Sequence, residues 1–165
     1  MQELKILKAE TGEEIASRCY LANRFFSRLK GLLGKEYMSD GEGLLISPCS
    51  SVHTMGMKIC IDVVFLSSDF QVLRLIEGVR PGKVCQFKRG SSLVLELPAG
   101  QVRRCGLKRG DFLIAMDKQG DEAGDFFSRR RARIRKRKYL NEEPAYDGVF
   151  SGFINFAKIN ICRNL

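Results

Sequence analysis

A chain of 165 residues with 44% hydrophobic content is long enough for one domain with its own core, without metal or disulfide staples. The net charge of +9 is unevenly spread: residues 1–118 hold 18 Lys and Arg against 13 Asp and Glu, and residues 119–165 hold 10 against 6. No run of about 18 apolar residues suggests a membrane-spanning helix, and Met1-Gln2-Glu3-Leu4-Lys5 lacks the apolar stretch of a secretory signal. The six cysteines (Cys19, Cys49, Cys60, Cys85, Cys105 and Cys162) form no Cys-x-x-Cys pair, and there is one histidine. Reduced thiols, a cytoplasmic chain, no metal site and no cofactor are therefore expected.

In chain order, Leu4-Lys5-Ile6-Leu7 and Ile15 to Tyr20 alternate about a Thr11-Gly12 turn, the pattern of a β-hairpin. Phe25, Leu29, Leu32 and Leu33 recur at helical spacing before Gly34, which predicts a short helix over 23–33. Leu44-Leu45-Ile46 reads as a strand. The stretch 48–57 has no clear period. Residues 59–66 form a long β-branched run, and 70–76 return as its hairpin partner across Ser67-Ser68-Asp69. Pro81-Gly82 breaks the chain. Residues 92–97 and 112–116 are further strands, with one or two helical turns over 99–105 between them. About seven short strands and few helices predict a mainly β, α+β domain: a compact barrel-like sheet with one or two short helices over 1–118.

The tail, 119–165, opens with a polar connector at 120–125. Eight of the ten residues 129–138 are basic: Arg129, Arg130, Arg131, Arg133, Arg135, Lys136, Arg137 and Lys138. Phe150, Phe153, Ile154, Ala157 and Ile161 share one helical face, so an amphipathic C-terminal helix is a candidate there. The basic run is either a solvated tail or a contact for an anionic partner, the membrane surface or nucleic acid. A peripheral membrane position is thus an alternative to the open cytoplasm.

Six blocks carry a resemblance: Arg28-Leu29-Lys30-Gly31-Leu32-Leu33-Gly34, Gly43 to Ile46, Pro48 to Met57, Ile61 to Leu66, Leu95-Glu96-Leu97-Pro98-Ala99-Gly100, and Gly106 to Asp111. Their order and spacing resemble the bacterial and archaeal family called domain of unknown function number 192. The resemblance spans about 100 residues. It implies a small β-barrel-like α+β domain with no established activity or cofactor. The family's His-Thr-x-x-Met, Ile-Asp and Leu-Glu-Leu-Pro-Ala-Gly segments map onto His53, Thr54, Met57, Ile61, Asp62 and Glu96 to Gly100. The tail lies outside that pattern.

His53 has three readings: base to a Cys49 nucleophile, member of a hydrogen-bond network that organises its loop, or ligand contact. Asp62 and Glu96 sit inside apolar strands. Period-two alternation either points them outward or aims one into a cavity shared with His53 and Arg28. No phosphate loop, dinucleotide fingerprint or Gly-x-Ser-x-Gly elbow is present. The leading expectation is a non-enzymatic module that binds a small polar ligand or protein segment through Arg28, His53, Thr54, Met57, Asp62 and Glu96. One alternative is an enzyme with His53 as general base and Asp62 or Glu96 as partner. The other is an adaptor at a membrane-associated assembly with the tail as contact surface, which the family resemblance implies would be of the secretion or pilus type.

Overall fold

The computed structural model describes residues 2–24, 31–85 and 89–121. Most of the helix expected over 23–33, Arg28 with it, and the tail from 122 onward lie outside the described residues. Among the described residues nine strands and one helical turn follow in order: β1 (Gln2–Lys8), β2 (Glu14–Ala22), β3 (Glu42–Ile46), β4 (Val52–His53), β5 (Ile61–Leu66), β6 (Val72–Val79), β7 (Val84–Cys85), β8 (Leu93–Pro98), α1 (Gln101–Arg104) and β9 (Leu113–Met116).

Seven strands make one sheet in the order β6-β5-β8-β3-β2-β1-β9, while β4 and β7 pair as a separate ribbon. Only β2–β3 is parallel, and a parallel pair needs a long crossover. The β1–β2 hairpin turns on Thr11, whose Oγ1 accepts the Glu13 N–H, and on Gly12, whose φ of 71° suits glycine. The β5–β6 hairpin turns on Ser67, whose Oγ accepts the Asp69 and Gln71 N–H groups at 3.1 Å each.

The sheet curls until its outer strands touch at one end, through a Gln71–Phe112 bridge. There the Val72 N–H donates to Asp111 O (2.8 Å) and the Leu113 N–H to Phe70 O (3.0 Å). The expected barrel is therefore an open half-barrel. The concave side holds one core, which includes Leu4, Ile6, Leu21, Leu45, Val64, Leu95, Leu97 and Leu113 and is capped by Val102 of α1. The convex side holds a second core of Leu44, Ile46, Ile61, Val63, Phe65 and Val94, covered by Val52 and Cys85 of the ribbon and by Leu32 and Met57. All six residues of β5 and all six of β8 are buried because both faces of these strands are covered. That double burial places two carboxylates inside the protein.

Candidate functional site

Strand register separates those carboxylates. Asp62 pairs with Leu97, and Val63 pairs with Glu96. Leu97 belongs to the concave core and Val63 to the convex core, so Asp62 and Glu96 point to opposite faces of the sheet.

Asp62, fully buried, has a structural occupation. The β5–β6 register slips between Ile61 and Val63, and the slack falls at Glu77-Gly78. Asp62 Oδ1 accepts the Gly78 N–H that the bulge frees (2.8 Å), and Oδ2 accepts the Val102 N–H at the start of α1 (3.0 Å). One side chain thus stands in for a missing ladder bond and caps a helical turn.

Thr54 is also fully buried and saturated. Its hydroxyl donates to Arg80 O (2.7 Å) and accepts the Lys83 N–H (2.9 Å), while its own N–H donates to Lys83 O (2.8 Å). Thr54 therefore staples the turn after β4 to the turn before β7. Met57 is a wall of the convex core. His53 lies beside Val84 on the ribbon's outer face and is exposed, whereas Val52 and Cys85 face inward. The Cys49 thiol donates to Ser51 O (3.0 Å). Among the described residues, then, His53, Asp62 and Glu96 do not gather round one cavity.

Glu96 is different. It is 3% exposed, it lies between Leu44 and Val63 in the ladder, and its Oε2 has no hydrogen-bond partner among the described residues. Burial alone pushes its carboxyl up to about 7. Buried polar atoms are nearly always partnered, so an open acceptor in an apolar core calls for an explanation. Two neighbours escaped the sequence reading. Burial first, and then the Glu96 charge, push the Cys85 thiol up, while Arg74 acts in the opposite sense. Cys85 is thus within electrostatic reach of both Glu96 and Arg74, brought there by the ribbon and β6. No local pattern around 84–85 marked a strand.

Burial also raises the thiols of Cys19 and Cys105, so neither is an activated nucleophile. Among the described residues no three potential ligands gather for a metal. An open groove of about 610 Å³ lies elsewhere, along β1 and the segment after β9, lined by Leu4, Leu7, Ser17, Met116 and Lys118. None of the residues singled out from the sequence borders it.

A profile of the DUF192 family, described as "Uncharacterized ACR", matches residues 6–114. No curated protein matches the chain. Two solved structures are similar. A candidate transcription regulator from Sinorhizobium meliloti 1021 shares 24% identity, over 74% of this chain and 94% of that one, with a TM-score of 0.61. A protein of unknown function from Novosphingobium aromaticivorans DSM 12444 shares 21%, over 67% and 82%, with a TM-score of 0.56. At these identities the likeness is one of fold.

Proposed function

The chain belongs to the uncharacterised DUF192 family, and from that premise we propose that its domain is a non-enzymatic binding module anchored on Glu96 beneath the β4–β7 ribbon. The unpartnered, buried Oε2 carries this reading. A ligand N–H or O–H would supply the hydrogen bond that the protein leaves open, and in a low-dielectric site such a bond is worth more than in water. The ligand is a small polar molecule, or a protein segment that presents one donor group. Asp62, Thr54 and Met57 act as the frame that holds β5, α1 and the ribbon in place.

The enzyme alternative is not favoured. A general base needs hydrogen-bond reach of its partner. His53 faces outward from the ribbon, and both oxygens of Asp62 are committed to backbone amides.

A thermal-shift screen of the full chain against small amines, amides, polyols and short peptides tests the proposal, with Glu96→Gln run in parallel. A compound at 100 times its Kd adds about 2.7 kcal/mol to the stability of the wild type. The expected hit loses that shift in the variant, whose amide presents a donor where a second acceptor stood. Hits that shift both proteins equally would place binding elsewhere.

A further inference from the structure

The outer face of the β4–β7 ribbon presents a second feature, independent of Glu96. Residues 43–61 and 78–95, which include both ribbon strands, contain no Asp or Glu, yet they carry Lys58, Arg80, Lys83, Lys88 and Arg89. Lys58 is paired with Glu36, whereas Arg80, Lys83 and Arg89 make no ion pair among the described residues. Beside Arg80 and Lys83 the ribbon tip holds apolar side chains in solvent: Met55 is 57% exposed and Val84 64%. Leu33, also exposed, abuts Gly56 beside them.

This tip is held in place. The Thr54 staple, with Gly82 N–H donating to Thr54 O (2.9 Å), locks the 54–57 turn to the 80–83 turn, so Met55 and Val84 cannot fold inward without breaking buried hydrogen bonds. Single exposed apolar residues need no explanation, but three at one tip beside Arg80 and Lys83, two cations with no ion pair among the described residues, do.

We propose that this face docks on an anionic lipid bilayer, with Met55, Val84 and Leu33 entering the headgroup–acyl boundary and Arg80 and Lys83 meeting lipid phosphates and carboxylates. Charge complementarity selects an anionic partner. The apolar tip selects a membrane over nucleic acid, because a bilayer would bury Met55 and Val84 while a phosphate backbone offers them no apolar contact. The basic tail supplies a second cationic contact on the same chain, which the experiment must separate from the ribbon.

Flotation of the full chain with phosphatidylcholine vesicles, with and without 30% phosphatidylserine, reads the interaction. Two variants keep the tail intact: Arg80→Gln with Lys83→Gln, and Met55→Ser with Val84→Thr. All these positions are exposed, and unchanged circular dichroism and melting confirm the fold. The wild type floats with anionic vesicles only. Each lost cation weakens binding about fivefold, so the charge variant binds roughly twenty-five-fold less tightly. The apolar variant also loses at least tenfold, which simple charge attraction does not predict. Wild-type affinity in both variants would assign binding to the tail and overturn the proposal. Loss in the charge variant alone, matched by the same loss on a DNA duplex, would overturn it in favour of nucleic acid. No flotation by the wild type would end it.

Discussion

Glu96→Gln should change how the stability of the domain depends on pH. The carboxyl is buried, its Oε2 has no partner among the described residues, and its folded-state value is pushed up to about 7 from an ordinary 4.5. Between those values the native protein holds a proton that the unfolded chain has lost, so stability falls as pH rises through this window and levels off above 7. A displacement of about 2.5 units corresponds to roughly 3 kcal/mol of destabilisation at pH 8 relative to pH 4. Glutamine keeps the shape and does not titrate. The measurement is urea unfolding of both proteins at half-unit steps from pH 4 to 8.5. Other ionisable groups titrate alike in the two proteins and cancel in the difference. The stability of the variant minus that of the wild type should climb by roughly 3 kcal/mol across the window, which moves the relative urea midpoint by about 1–3 M. Parallel profiles would refute the reasoning: Glu96 would then be ionised in the native state and satisfied by a group or solvent path that the structure does not reveal.

Asp62→Asn should destabilise the domain by about 2–3 kcal/mol at pH 7, because the amide turns an N–H toward either the Gly78 or the Val102 N–H, and equilibrium unfolding checks this. Thr54→Val should lose about 1–3 kcal/mol and raise amide hydrogen exchange at Lys83, whose N–H would lose its acceptor while the global fold persists. Gly43→Ala should lose about 1–3 kcal/mol, since the new methyl would stand 3.1 Å from Cys19 Sγ and 3.2 Å from Ala16 Cβ at the parallel β2–β3 contact; thermal melting reads it. A chain ended after residue 121 should melt within a few degrees of the full protein, whereas failure to fold would show that the tail contributes to the core.

Most strands were legible because their signals are local. Alternation in β1 and β2, the polar turns at Thr11-Gly12 and Ser67-Ser68-Asp69, and the apolar runs of β5 and β8 each report their conformation within a few residues. What escaped depends on distant partners. The ribbon strands β4 and β7 are two residues long, too short for any period, and exist because Thr54 joins segments far apart in sequence. Phe70 reads as the first residue of a strand, yet it adopts a φ of 62° because its ring is buried in the concave core and the turn must carry it there. The open edge between β6 and β9 has no local mark at all.

The candidate residues divide on the same principle. That Asp62 and Glu96 deserve notice follows from their apolar flanks, but which face each meets is decided by pairing. Two buried strands with no solvent-facing side remove the usual rule that a polar residue in a strand points to water. Asp62 then resolves as structure, because a bulge on β6 and the first turn of α1 present two amides to its two oxygens. Glu96 sits one pairing step away on the other face, with Leu44 and Val63 beside it and, among the described residues, no hydrogen-bond partner for Oε2. Equivalent chemistry in adjacent rungs thus takes different roles because only one face supplies backbone donors, and the face without them is where a ligand's own donor would have an effect.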